Sequence, residues 1–223
     1  MTEDKPSAKP IIDDATREKM ALVFAGEVYL PEEVGGFFDL QAAQRDLQLE
    51  LNATPLTNPK RRTELMQAFF GAAGEGLYLE CPVYANWGCN TYWGERCYAN
   101  FNLTLVDDGE IFIGSHTMIG PNVTLVATGH PVRPDLRYQG AQYSLPVHIG
   151  ENVWIGANVT VLPGGTIGDN AVIGANSLVT KDIPANTVAY GSPCKVIREI
   201  NERDDVYYWR DRQFSERFKL KEQ

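Results

Sequence analysis

Residues 128–147, TGHPVRPDLRYQGAQYSLPV, contain the side chain best suited to proton transfer in this chain. His130 stands between Gly129 and Pro131; His116 and His148 are the other two histidines. An imidazole titrates near pH 6.5, so its neutral form is available as a base at neutral pH. Such a base removes the proton of an alcohol as the oxygen attacks, and without that help a hydroxyl is a poor nucleophile. A lone loop histidine serves a structural role just as readily, so its surroundings must decide.

Other reactive sets are weaker. Cys81, Cys89, Cys97 and Cys194 make no Cys-x-x-Cys pair. The spacing of the first three is too open for a zinc knuckle, and all four read as reduced thiols. The net charge of −9 does not suit a nucleic-acid backbone, though it leaves room for a local basic pocket. No apolar run is long enough to span a membrane. Residues 1–16 are polar and lack the apolar core of a secretion signal, which predicts a flexible tail on a cytoplasmic protein.

What must position His130 is legible as a repeat. Ile149, Ile155, Val161, Ile167, Ile173 and Val179 recur every sixth residue. Three places after each come Asn152, Asn158, Gly164, Asn170, Asn176 and Asp182, types that tolerate a left-handed backbone. Six does not fit a helical period. It fits a short strand and a corner, repeated, with the aliphatic inward and coils stacked. The meter is present earlier at Ile113, Ile119 and Leu125, with a corner at Asn122 and His116 also at a corner position. It extends weakly back through Leu77, Val83, Cys89 and Phe101, where Glu95 and Asp107 interrupt it and predict distorted coils. The expected fold is mainly β, a parallel β-helix over 74–193 whose meter lapses over an inserted loop, 130–147. A loop of that length is uncommon unless functional.

Helical stretches flank the solenoid. Segments 14–26, 39–52 and 58–70 predict helices within an N-terminal cap, 17–73, with Asn58 as N-cap and Pro59 at the first helical position. Such a cap covers open strand edges. Residues 194–223 read as a C-terminal capping helix with a solvated, mixed-charge face.

Three segments carry a family resemblance: YANFNLTLVDD (98–108), IGPNVTLVATGHPV (119–132), and 149–200, which holds the strict meter. On them the chain resembles the hexapeptide-repeat, left-handed β-helix acyltransferases, in the galactoside and maltose O-acetyltransferase branch, over about residues 17–208. The meter is shared by many acyltransferases; the TGHP and YANFN elements are more specific. The resemblance implies acetyl transfer from acetyl-CoA to a hydroxyl of a small sugar, with no metal, by a homotrimer whose sites lie between subunits. It makes His130 the general base. It gives Asn100 the role of positioning the acceptor or polarising the forming oxyanion, and Asp108 that of binding an acceptor hydroxyl. Ala157, Ala175, Thr180, Lys181, Lys195 and Arg198 match its coenzyme A contacts, with Lys195 where relatives carry arginine. Trp154 is a candidate groove wall. The acceptor side departs from the pattern: Leu30 and Pro31 stand where relatives place an aspartate, and Asn86 where they use Ser or Asp, so Glu32 or Asn86 is the candidate substitute. The alternatives are an antibiotic-modifying acetyltransferase, a γ-type carbonic anhydrase using three histidines, and a non-catalytic scaffold.

Overall fold

The structure, a computed structural model, describes residues 14–35 and 38–218. Of the expected tail, 1–13 lie outside the described residues; the rest already belongs to a helix, α1 (Asp14–Phe24). Gly26, at φ +77°, turns the chain out of it. Next come α2 (Phe38–Ala53) and α3 (Pro59–Phe69), the latter capped by the Asn58 side chain accepting from the Arg61 N–H.

The middle of the chain is a prism of three parallel sheets. The first face stacks Ala72–Ala73, Thr91–Trp93, Ile111–Ile113, Val147–Ile149 and Thr166–Ile167. The second begins Tyr78–Leu79, Tyr98–Ala99, Met118–Ile119, Trp154–Ile155, Val172–Ile173 and Thr187–Tyr190. The third stacks Val83–Ala85, Leu103–Val106, Thr124–Val126, Thr160–Val161 and Leu178–Val179. The six metric aliphatics from Ile149 to Val179 are all buried, at most 3% exposed. Each such side chain is worth about 1.5–3 kcal/mol when taken from water. The corners fall as the spacing predicts: His116, Asn122, Asn152, Asn158, Gly164, Asn170 and Asn176 all have positive φ. Asp182 does not; its carboxylate accepts the Thr166 N–H instead.

The weak meter before Ile113 has a physical cause. Asn102 bonds its counterpart Asn122 at a separation of 20 residues, whereas Asn152 bonds Asn170 at 18. Two extra residues per early coil throw a six-residue count out of phase. Phe101 is therefore exposed, and Leu103 and Leu105 fill the interior. These coils are not distorted: Val83, Tyr84 and Ala85 pair in register with Leu103, Thr104 and Leu105.

The N-terminal cap works through side chains. The Asn52 amide donates to the Val83 carbonyl and accepts its N–H, while Gln48 accepts the Ala85 N–H. The buried Arg62 guanidinium donates to the carbonyls of Thr54 and Leu79. These contacts satisfy the backbone groups that a first coil leaves unpaired.

The C-terminal helix expected over 194–223 is not what forms over its described part, 194–218; residues 219–223 lie outside the described residues. Lys195–Glu199 is a strand, antiparallel to Thr187–Tyr190 on the second face. A five-residue helix, Glu202–Val206, follows, then a hairpin of Tyr207–Trp209 with Arg212–Gln213. The free edge of Thr187–Tyr190 offers backbone partners that outcompete the amphipathic helical pattern.

Candidate active site

The insertion leaves the solenoid at the edge between the third and first faces. Thr128–Gly129 pairs antiparallel with Tyr143–Ser144, closing the loop at its base. A helical turn, Pro134–Tyr138, forms its tip. Within it the Arg137 guanidinium donates to the carbonyls of Pro131 and Val132. His130 is exposed, and its Nδ1 lies 2.8 Å from the Ala141 carbonyl oxygen. A carbonyl only accepts, so Nδ1 carries the proton and the neutral ring keeps its lone pair on Nε2, the arrangement a base requires.

The loop is fastened from the N-terminal region. Tyr29 and Gln142 exchange both backbone hydrogen bonds, at 2.9 and 3.0 Å. The Tyr29 hydroxyl also reaches Gln142 Oε1 and Ser144 Oγ, each at 3.3 Å. Burial pushes the Tyr29 phenol pKa up and nearby Asp108 adds to the rise, while the Ser144 hydrogen bond opposes it.

The same edge carries a cleft. Its walls include Phe24, Tyr29, Trp87, Asn90, Asp108 and Gln142. Asn86 and Asp108 are brought together here: Asn86 Nδ2 donates to Asp108 Oδ2 at 2.6 Å, and the Trp87 indole N–H to Oδ1 at 3.4 Å. Glu32 is exposed and is not among the residues lining the cleft. Beneath Asp108 lies fully buried Asp107. Burial raises its pKa from 3.8 to about 7; hydrogen bonds from Trp87 and Thr91 oppose the rise, and the Asp108 charge adds to it.

Asn100 stands elsewhere, at the edge between the second and third faces. Its backbone N–H donates to Ile119, in the column where Gly120 bonds Ile155 and Gly156 bonds Ile173. Its Oδ1 accepts the Phe101 N–H at 2.8 Å, and among the described residues its amide NH₂ has no hydrogen-bond acceptor. Ala157 and Ala175 lie on this edge as well, next to glycines that pack coil on coil: a Cβ at Gly156 would meet the Ala175 nitrogen at 2.7 Å. Within one chain His130 and Asn100 therefore occupy different edges of the prism.

The remaining candidates are dispersed. Thr180 and Lys181 are exposed at the third–first edge. Lys195 and Arg198 lie on the C-terminal strand, both exposed. The Arg198 guanidinium is held by Asp204 at 2.6 and 2.7 Å, which raises its pKa; no salt bridge involves Lys195 among the described residues. Trp154 is 55% exposed on the second face. His116 sits at a corner, and His148 stacks on Phe112 at 4.9 Å, so the three histidines do not converge. No group of three or more His, Cys, Asp or Glu able to hold a metal occurs among the described residues.

Sequence reasoning missed Tyr29, Trp87 and Gln142 as parts of this edge, since no spacing links segments so far apart in the chain. It registered Asp107 only as a break in an apolar column, which was the available signal.

Comparison with known proteins agrees with this architecture. A protein-family model, bacterial transferase hexapeptide (six repeats), matches residues 146–181. The galactoside O-acetyltransferase of Lactococcus lactis is 50% identical over 192 residues, covering 86% of this chain and 92% of that protein. The solved structure of a galactoside acetyltransferase in complex with coenzyme A is 47% identical and superposes with a TM-score of 0.83, over 86% of this chain and 96% of that one. A maltose O-acetyltransferase from Clostridium difficile is 38% identical with a TM-score of 0.79, over 82% and 98%. The chain belongs to the hexapeptide-repeat, left-handed β-helix acyltransferases, in their galactoside and maltose O-acetyltransferase branch.

Proposed function

We propose that this acetyl-CoA-dependent O-acetyltransferase uses His130 as its general base on a sugar-like hydroxyl seated against Asp108. The observation that carries the assignment is the His130–Ala141 hydrogen bond on an exposed ring at the rim of the insertion. Nε2 takes the acceptor proton as the oxygen attacks the thioester carbonyl. The tetrahedral oxyanion collapses with cleavage of the C–S bond, and the acetyl group passes to the acceptor. The proton held on Nε2 goes to the departing sulfur, so that coenzyme A leaves as its thiol and the imidazole is neutral again. The Asn100 amide NH₂ is the proposed donor to that oxyanion.

Because His130 and Asn100 lie on different edges, a site that uses both takes them from two copies. This supports a homotrimer with sites between subunits. The small residues Ala157 and Ala175 admit the pantetheine arm on the second–third edge of one copy, and Thr180 and Lys181 meet it from the third–first edge of the neighbouring copy. Lys195 and Arg198 are the proposed partners of the nucleotide phosphates. The four free cysteines fit a reducing, cytoplasmic setting. Asn86, through its bond to Asp108, stands in for the missing acceptor contacts.

The test is a His130→Ala variant assayed by thiol release from acetyl-CoA with galactosides, maltose and other hydroxylated acceptors. The expected loss is about 10²–10⁴-fold in kcat. A folded variant with near-normal turnover would refute the role.

A further inference from the structure

We propose that Asp107 is a positioning residue of the acceptor cleft: from inside the solenoid it holds turn 86–91 in the shape that presents Asp108, Trp87 and Asn90. The proposal rests on the reading of that cleft as the acceptor site. It adds a residue that itself touches neither substrate.

The turn joins the third-face strand ending at Ala85 to the first-face strand starting at Thr91. Asp107 fastens it at several points. Oδ1 accepts the Trp87 backbone N–H at 2.8 Å, and Oδ2 accepts the Thr91 hydroxyl at 3.0 Å. The Asp107 backbone carbonyl accepts from the Asn90 side-chain amide at 2.9 Å. On its other side the turn presses on α3: a Cβ at Gly88 would lie 2.4 Å from the Phe69 ring, and Gly88 also needs its φ of +75°. Held between Phe69 and Asp107, the turn delivers Asn86 and the Trp87 indole onto Asp108.

Burying a carboxylate is costly, and no salt bridge involves Asp107 among the described residues. What compensates is the meeting of the Trp87 N–H and the Thr91 hydroxyl with its two oxygens. An asparagine has one acceptor oxygen; with that oxygen kept on the Trp87 N–H, its NH₂ meets the Thr91 hydroxyl, which must turn from donor to acceptor and so changes how the turn is held. The carboxylate is therefore matched to this turn, and the turn's remaining side chains form the cleft wall.

The experiment uses the full chain and measures kcat and both KM values, with methyl galactoside and maltose as acceptor probes. Asp107→Asn is expected to raise the acceptor KM about tenfold, with kcat and the acetyl-CoA KM within about twofold. Thr91→Val, nearly isosteric but without the hydroxyl, shifts the acceptor KM in the same direction by less. Thr91→Ser, which keeps the hydroxyl, restores the original value. A role in folding alone would instead lower the active fraction, scaling kcat while leaving both KM values in place, and that result overturns the proposal. So does an unchanged acceptor KM in Asp107→Asn when Asp108→Asn raises it. If Asp108→Asn leaves the acceptor KM unmoved, or neither probe is turned over, the underlying reading of the cleft fails instead.

Discussion

The Ala141 carbonyl holds His130 Nδ1 at 2.8 Å, and the next residue, Gln142, exchanges both backbone hydrogen bonds with Tyr29. The orientation of the proposed base is thereby tied to a segment about a hundred residues earlier in the chain. Removing the Tyr29 hydroxyl by Tyr29→Phe keeps the backbone bridge but deletes the bonds to Gln142 and Ser144. The expected cost is about 0.5–1.5 kcal/mol of stability. Thermal unfolding should show a fall of a few degrees, about 2–4 °C per kcal/mol at this size.

Splitting the site between two edges predicts complementation. His130→Ala and Asn100→Ala should each be nearly inactive alone. Unfolded together and refolded as mixed oligomers, they should regain activity, because about a quarter of sites then draw an intact histidine and an intact asparagine from different copies. Thiol release before and after mixing reads the effect. No recovery would place both residues in one copy's site.

Lys195 and Arg198 should differ in importance despite equal charge. Arg198 is already neutralised by Asp204, whereas among the described residues no salt bridge occupies Lys195. Lys195→Ala is expected to raise the acetyl-CoA KM several-fold, on the order of tenfold, and Arg198→Ala by less. Steady-state kinetics with acetyl-CoA as the varied substrate decide it.

Asp107 gives a pH signature to stability. Its carboxyl ordinarily titrates at 3.8 and burial pushes it up to about 7 in the fold, with the Asp108 charge adding to the rise. Between those values the folded state keeps a proton that the unfolded chain has lost. The group's contribution is therefore fullest at the low end of the window and is lost as pH rises through about 7. Asp107→Asn does not titrate. Its stability relative to the unsubstituted protein should improve steadily from about pH 4 to about pH 7, as measured by urea unfolding across that range.

Much of this was legible in residue order. A branched aliphatic every six residues from Ile149, with asparagine or glycine three places on, specifies coil, corner and interior without reference to anything distant. Asn58 with Pro59 marked the start of α3 for a reason equally local. The failures came where a neighbouring chain segment decides. Lys195–Glu199 has an acceptable helical pattern, yet the open edge of Thr187–Tyr190 draws it into a strand. Phe101 fell outside because a corner two residues longer shifts the count, and chain order does not reveal where a corner absorbs residues.

By itself the sequence determined the solenoid, the place where its meter lapses, and the histidine carried there, because these depend on contacts between residues at fixed spacings. The tertiary structure alone decided which side chains share an edge of the prism with that histidine. Coiling brings Tyr29, Asn86, Asp108 and Gln142 to one edge and sends Asn100 to another, since each residue's edge is set by the accumulated length of every corner before it.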